Sequence, residues 1–185
     1  ELGETANTNV QAELSLTSTS VLYRHESGSG VNRDVNFTGL TIPTNSWHHI
    51  AMVRDGAAKS VSLYLDGVLL GTGNYTVDPE GGSSSFLTLG RSLASDATIN
   101  MFDGQLDEFR LWDKQLTQEE IRDWMTKKIN SSHPQISNLV SYYRFDENTG
   151  ATLQDLAGGN DGILTNMNPG SDWVQSGAAL GDSSG

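Results

Sequence analysis

The segment 61–70 constrains the fold of this chain more than any other stretch of its sequence. In its first half apolar and polar side chains alternate, which places the apolar ones on one face of a β-strand. Asp66 and Gly67 then separate this half from a second apolar run. A two-residue Asp-Gly loop is typical of a hairpin, because its type I′ turn needs a positive φ at both positions. Together with the apolar run at 47–54, the segment predicts three antiparallel strands.

Further short apolar runs occur at 86–89, 105–112 and 139–145, between loops that are rich in Gly, Ser, Asn and Asp. The chain has 20 Gly among its 185 residues, and 36% of its residues are hydrophobic, which is below the average for a globular domain. Short strands joined by many turns account for such a composition. The regular spacing of the runs therefore favours an all-β fold, an antiparallel β-sandwich.

One short helix is predicted in the C-terminal half of the chain. Thr117 and Glu120 have the spacing of a capping box, in which each residue satisfies a free backbone N–H of the other. Apolar residues follow at helical spacing from Ile121 to Ile129, and such a stripe packs against a sheet. We interpret Trp124, in this stripe, as a core residue.

Charge and residue content exclude several classes of protein. The chain has 11 Lys and Arg against 23 Asp and Glu, a formal net charge of −12 at pH 7, which repels nucleic acid and anionic membrane surfaces. It has no Cys, which excludes disulfides, Cys-ligated zinc and thiol nucleophiles. No apolar run reaches the ~18 residues of a membrane-spanning helix. An acidic surface instead suits cations such as Ca²⁺.

The order and spacing of these segments resemble those of a laminin-G-like domain, a concanavalin A-like jelly roll, in the form found in large bacterial secreted and surface proteins. The resemblance extends over roughly residues 36–166. It implies an antiparallel sandwich with one short C-terminal helix. The motifs that carry it are SWHHIAMVRDG at 46–56, LYLDG at 63–67, LTLG at 87–90, FDGQLDEFRLW at 102–112 and LTQEEI at 116–121.

The resemblance departs at the front of the chain, because the opening strands of the family are not recognised before Trp47. We therefore expect a jelly-roll domain at 1–130 that lacks its first strands, followed by a linker at 131–138. A strand and an acidic loop at 139–170 then complete this sandwich or open the next copy of the domain, and a loop-rich tail occupies 171–185.

The function that the resemblance implies is a non-catalytic, carbohydrate- or protein-binding adhesion module of a secreted or cell-surface protein. Its partners would be a glycan or a cell-surface protein, other domains of the same polypeptide, or a secretion apparatus such as that of type IX secretion. A second reading is purely structural: a stalk or a secretion-cargo domain of a surface adhesin.

Calcium is the expected cofactor. Acidic and amide side chains in Gly-bearing loops supply the hard oxygen ligands that Ca²⁺ prefers, and these loops are read as lacking neighbouring Lys or Arg. The alternative is that the same side chains form Asx turns and N-caps. Tyr23 and Tyr75, in or near loops, are the predicted ligand contacts. The candidate metal ligands are Asp107, Asp146, Glu147, Asp155, Asn160 and Asp161.

An enzyme is the alternative function, because jelly rolls of this kind include glycoside hydrolases of the laminarinase type. A retaining hydrolase needs two carboxyl groups about 5–5.5 Å apart, which on one strand requires acids at alternate positions. Asp107 and Glu108 are adjacent, so a strand would direct them to opposite faces. No catalytic residue is predicted.

Overall fold

The structure is a computed structural model, and it describes residues 2–3, 10–27, 31–80, 86–91 and 101–181. The chain divides into two units, Glu1–Asp103 and Gly104–Gly185. The sequence analysis instead places its domain boundary at residue 130. Among the described residues no helix is long and apolar enough to span a bilayer.

The described strands of the first unit form two antiparallel sheets. One sheet has the strand order β4-β3-β2-β1-β8 and the other has the order β5-β6-β7. The sheets pack face to face around one cluster of buried side chains, so the predicted all-β sandwich is confirmed. The strands are β1 (Leu2–Gly3), β2 (Val10–Leu16), β3 (Ser20–Ser27), β4 (Val31–Thr38), β5 (Ile50–Asp55), β6 (Ser60–Leu65), β7 (Val68–Asn74) and β8 (Phe86–Leu87).

The predicted hairpin is present between β6 and β7. Asp66 has a φ of 49° and Gly67 a φ of 73°, the two positive values that a type I′ turn requires. Val61 and Leu63, on the apolar face of β6, are 0% and 1% exposed. The alternation read from the sequence therefore identifies the face that the core covers.

Close contact between the two sheets depends on a glycine in β7. A Cβ atom on Gly73 would lie 2.2 Å from Cγ1 of Val35 in β4, so any larger residue would force the sheets apart. Gly71, two residues earlier in the same strand, leaves room for a Cβ, whose nearest neighbour would be a Phe37 ring atom at 3.5 Å. The approach at Gly73 brings the end of β7 next to the start of β4.

The front of the chain corrects the sequence analysis. It recognised no strand before Trp47, whereas β2, β3 and β4 all precede this residue. The buried face of β3 carries His25 and Ser27 beside Val21 and Tyr23. Two polar residues among the four buried positions obscure the alternation by which strands are recognised.

The second unit contains two short antiparallel strand pairs and a helix. The predicted capping box of Thr117 and Glu120 is present. The helix ends at Trp124 and does not continue to Ile129. The predicted strand at 105–112 begins only at Phe109, after a residue with positive φ. The described elements are β9 (Phe109–Trp112), α1 (Gln118–Trp124), a 3₁₀ helix (Ile136–Asn138), β10 (Leu139–Tyr143), β11 (Thr152–Leu153) and β12 (Gly162–Ile163).

The strand predicted at 139–145 is observed as β10, and it pairs with β9. Beside this pair, the ring of His133 stacks on Trp112 with centroids 4.4 Å apart and contacts Trp124 at 4.8 Å. The packing interpretation of Trp124 is therefore correct.

Candidate functional site

A polar depression of about 250 Å³ lies in the first unit, where the start of β4 meets the residues that follow β7. We call it the rim depression. It is located at one end of the sandwich. At this end Gly73 of β7 packs closely against Val35 of β4. Its lining residues are Asn32, Arg33, Asp34, Asn74, Tyr75 and Thr76.

Beneath the rim depression lies a group of buried rings. Tyr75 is 6% exposed, and its ring meets that of His25 edge to face, with centroids 4.8 Å apart. His25 Nε2 lies 2.7 Å from the Val77 carbonyl oxygen. Because a carbonyl only accepts, Nε2 carries the proton, and Nδ1 accepts from the Tyr23 hydroxyl at 3.2 Å. Both ring nitrogens are satisfied, so the floor of the depression is rigid.

Burial determines the ionisation of this group. It lowers the pKa of His25, which favours the neutral ring. It also raises the pKa of Tyr23 to about 12. The floor therefore carries no charge near neutral pH. The charges at this end of the unit are those of arginine, lysine, aspartate and glutamate side chains, among them Glu26, which lies opposite Asn32 in the β3–β4 pair.

Most of these charges are already paired. Arg24 donates two hydrogen bonds to Asp34, Nε to Oδ1 at 2.8 Å and Nη2 to Oδ2 at 2.9 Å. These bonds lower the pKa of Asp34, which stays ionised. Asp78 accepts from Arg54 at 3.3 Å and from Lys59 at 3.0 Å.

Several polar groups around the depression are free to bind a ligand. Asn32, Asn74 and Thr76 are exposed, and no side-chain hydrogen bond joins any of the three to another described residue. Amide and hydroxyl groups that converge over a rigid floor are typical of a small-molecule site. They match the hydroxyl groups of a sugar, which both donate and accept.

The two predicted ligand contacts lie in different places. Tyr75 lines the rim depression, directly after β7. Tyr23 is inside β3 and 2% exposed, so it reaches the depression only through His25. The sequence analysis missed Asn32, Arg33, Asn74 and Thr76, because no motif links positions 32–34 with 74–76. The packing of β4 in one sheet against β7 in the other brings them together.

A second depression, of about 440 Å³, lies in the second unit. Glu147 Oε1 accepts from the Gln154 backbone N–H at 2.9 Å. Its Oε2 atom is buried and has no hydrogen-bond partner in the described part of the chain. Trp173 Nε1 donates to the Gly150 carbonyl at 2.7 Å. This bond fixes Gly150, one of the residues that line the depression. The lining residues are Glu147, Thr149, Gly150, Ala151, Thr152 and Gln154.

The loop after β11 is organised by Asp155, which is 7% exposed. Its Oδ1 accepts from the N–H groups of Tyr142, Ala157 and Gly158, and its Oδ2 accepts from that of Asn160. Burial raises the pKa of Asp155, but these N–H groups together bring it below the ordinary value. Asp161 Oδ1 in turn accepts the Asp155 N–H at 2.9 Å. Such contacts are expected where acidic side chains form Asx turns, which the sequence analysis gave as the alternative to calcium binding.

Asp146 has cationic partners. Lys128 Nζ donates to its Oδ2 at 2.9 Å, and Arg144 Nη2 donates to the same atom. Burial raises the pKa of Asp146, and these two cations outweigh it, so the pKa is lowered. The expectation that these loops lack a nearby Lys or Arg is wrong for Asp146.

Glu108 belongs to a buried ion pair. The side chains of Glu108 and Arg110 are 7% and 8% exposed, and they lie 2.8 Å apart between Oε2 and Nη2. Tyr142 donates its hydroxyl to the same oxygen at 2.6 Å. Burial, followed by the bond to Glu108, raises the pKa of Tyr142. Asp107, the neighbour of Glu108, has a buried Oδ2 with no hydrogen-bond partner among described residues.

The six predicted metal ligands do not form one site. In the described ranges, no three His, Asp or Glu side chains are grouped so as to hold a metal ion. Asp155 already accepts hydrogen bonds from four backbone N–H groups. Asp146 already pairs with Lys128. Asn160 accepts from the Tyr143 hydroxyl through its carbonyl. The contacts of Asp146, Asp155 and Asn160 do not fit a calcium ligand set, and calcium at Asp107, Glu147 and Asp161 stays a prediction.

Comparison with known proteins adds the family. The profile of Laminin_G_3, described as the concanavalin A-like lectin/glucanases superfamily, matches residues 3–122. No curated protein matches the sequence. A crystal structure of a proposed carbohydrate-binding protein from Bacteroides ovatus is similar, with a TM-score of 0.56 and 18% identity over 88% of this chain. An S-layer domain-containing protein from Clostridium thermocellum has a TM-score of 0.39 and 22% identity over 66% of this chain. The chain covers 49% and 59% of these two structures, respectively.

Proposed function

The chain belongs to the concanavalin A-like lectin/glucanase superfamily, and on this premise we propose that it is a non-catalytic, glycan-binding module whose ligand occupies the rim depression. The single observation that carries the proposal is a set of amide and hydroxyl groups, Asn32, Asn74 and Thr76, above the buried ring of Tyr75, that have no side-chain hydrogen bond to any other described residue. A sugar supplies the matching hydroxyl groups.

The support for a binding role over hydrolysis comes from the carboxylates. Each of the two depressions is lined by one acidic residue, Asp34 in the first and Glu147 in the second. Glycoside hydrolysis needs a pair of carboxyl groups on either side of the bond that is cleaved. Asp34 is bound at both oxygens by Arg24, which leaves it unsuited to act as an acid or a nucleophile.

We propose further that the module acts outside the cell, on a secreted or surface protein, next to sister domains of the same polypeptide. The support for this setting is the match to the lectin/glucanase superfamily. A secretion apparatus is a partner only during export. The purely structural alternative predicts that the rim depression binds nothing.

Calcium binding is a separate proposal. The observation that supports it lies in the second depression, at Glu147. Glu147 Oε2 is a buried oxygen without a hydrogen-bond partner in the described residues, and carboxylate oxygens are ligands that Ca²⁺ prefers. Thermal unfolding in EDTA, and then with added Ca²⁺, tests it. An ion at 100 times its dissociation constant stabilises a protein by about 2.7 kcal/mol. An unchanged midpoint in both conditions removes the proposal.

A glycan array with the purified chain tests the proposed function. We expect binding to a defined set of glycans, and substitution of both Asn32→Ala and Asn74→Ala weakens it about tenfold, because each lost hydrogen bond contributes about 0.5–1.5 kcal/mol. Asn36→Ala is the matched control, since Asn36 is an exposed amide on β4 that does not line the depression. Absence of binding to any glycan supports the structural alternative instead.

A further inference from the structure

We propose that the rim depression recognises a glycan through one carboxylate, so that the module prefers a sugar chain bearing a uronic acid to its neutral counterpart. Arg33 is the group that binds the acid. The inference rests on the proposed function and specifies its ligand class.

Arg33 differs from the other described cations around the depression. Arg24 pairs with Asp34, and Arg54 and Lys59 pair with Asp78. Arg33 lines the depression and makes no ion pair with any carboxylate that the structure describes. An arginine with uncompensated charge at a site lined by neutral amides is poised for an anionic group.

The Arg33 side chain is also held in place. Its Nε donates to Ser27 Oγ at 2.9 Å, and Ser27 is 4% exposed. This bond uses one donor and leaves the two terminal guanidinium nitrogens for a ligand. A guanidinium presents these donors in a fork that matches the two oxygens of a carboxylate. Because one end is fixed, less conformational entropy is lost on binding.

Asp34, the one carboxylate among the described lining residues, does not compete with the ligand. Asp34 accepts two hydrogen bonds from Arg24, one at each oxygen, and its pKa is lowered accordingly. The two charges cancel locally. Because Asp34 is paired with Arg24, Arg33 is the lining residue whose charge has no ion-pair partner in the described part of the chain.

The neighbouring groups favour a sugar acid over an acidic peptide. Asn32, Asn74 and Thr76 offer donors and acceptors that suit several hydroxyl groups in a small area. The volume of about 250 Å³ is below the ~300–1,000 Å³ of sites for drug-sized ligands. One sugar ring with its carboxylate fits such a volume better than a peptide segment.

The acidic character of the whole chain limits the number of charges on the ligand. A formal charge of −12 opposes dense polyanions at long range. At physiological salt the screening length is about 8 Å, so a single acid on an otherwise neutral glycan is governed by the local charge of Arg33.

The test is an array of uronic-acid-bearing oligosaccharides, each printed beside its carboxyl-reduced form, with polyglutamate as the acidic peptide probe. We expect the acid form to bind at least tenfold more tightly than its reduced form. Increasing NaCl should weaken binding of the acid form more than that of the reduced form.

Arg33→Gln is the decisive variant, and Lys59→Gln is its control, because Lys59 is a cation of the same unit outside the depression. We expect Arg33→Gln to lose about 10–100-fold in affinity for the acid form and to bind the reduced form unchanged. Circular dichroism of both variants checks folding. If Arg33→Gln does not fold, the wild-type comparison of acid and reduced forms decides alone.

Each outcome is informative. Equal binding of acid and reduced forms overturns the inference and leaves the glycan-binding function in place. Binding of neither form overturns the inference, and if the broad glycan array shows no binding either, the proposed function is overturned as well. Binding of polyglutamate as tight as that of the uronic-acid glycan overturns the assignment of a sugar.

Discussion

The two units bury different chemistry. In the first, eight apolar and aromatic side chains from both sheets form one cluster, with Val61 and Leu63 at 0% and 1% exposure. In the second, the buried groups include Asp155 and the pair of Glu108 and Arg110. The apolar cluster of the first unit depends little on salt, because it transfers no charge from water; its pH dependence comes from the buried His25, whose lowered pKa costs stability as the pH falls through the unfolded value. A core with paired charges depends on every partner being present.

The largest effect that this difference predicts is at Glu108. Glu108→Gln removes the negative charge opposite Arg110 and leaves the guanidinium buried beside a neutral amide, which typically costs about 3–5 kcal/mol. Urea unfolding followed by tryptophan fluorescence measures it, because Trp112, Trp124 and Trp173 are in the second unit.

A loss below about 1 kcal/mol for Glu108→Gln would mean that the ion pair is hydrated in solution and that the second unit is held by its apolar contacts, like the first. Glu119→Gln, the same substitution at an exposed glutamate of α1, controls for loss of charge.

The next effect concerns the apolar packing of the first unit. Gly73→Ala places a methyl group against Val35 Cγ1, at 2.2 Å before relaxation, and overpacking of this kind costs about 1–3 kcal/mol. Gly71→Ala in the same strand has room and should change stability little, since its contact is at 3.5 Å. Thermal denaturation of the two variants gives the comparison, and equal midpoints would falsify the close packing of β4 on β7.

Gly73→Ala also connects packing to the binding site. If the approach of β7 to β4 forms the rim depression, the same variant should lose glycan affinity while Gly71→Ala keeps it. If the Gly73→Ala protein is destabilised but keeps its glycan affinity, the shape of the rim depression does not depend on the packing of β7 against β4.

In both units the sequence reveals some features and misses others. The alternation in β6 and the Asp66-Gly67 turn predicted a buried face and a hairpin, because local geometry alone determines both. The capping box of Thr117 and Glu120 was predicted for the same reason. Each of these features is confined to a few consecutive residues.

The parts that were missed or changed depend on distant residues. β3 was not recognised, because its buried His25 is satisfied by a carbonyl 52 positions away. The rim depression combines positions 32–34 and 74–76, and sequence spacing does not show that they meet. The strand at 105–112 was shortened by the positive φ of Glu108, a residue type that rarely adopts this conformation.

The third test of the comparison between the two units is the acid sensitivity that Asp155 gives the second unit. The pKa of Asp155 is lowered in the folded state by its N–H partners, after burial has raised it. A carboxyl group whose pKa is lower in the folded state contributes its full stabilisation at pH values above its unfolded pKa, which is near 3.9 for Asp. This contribution is lost as the pH falls through the folded-state pKa. Asp155→Asn should lose about 1–2 kcal/mol at pH 7.

The difference in unfolding free energy between wild type and Asp155→Asn is measured from pH 7 to pH 2. We expect it to be constant at neutral pH and to shrink below about pH 4. A constant difference down to pH 2 contradicts the assignment of a charged, N–H-bonded Asp155.

The smallest expected effect is at the exposed ion pair of the second unit. Lys128 and Asp146 are 31% and 49% exposed at their side chains, and a pair in contact with water contributes about 0–1 kcal/mol. Lys128→Gln should therefore change the urea midpoint only slightly, and still less in 0.5 M NaCl, because salt screens exposed charges. The buried pair of Glu108 and Arg110 is screened much less, so the effect of Glu108→Gln should persist at the same salt concentration. A large, salt-resistant loss in Lys128→Gln would show that the acidic loop, rather than the buried pair, holds the second unit together.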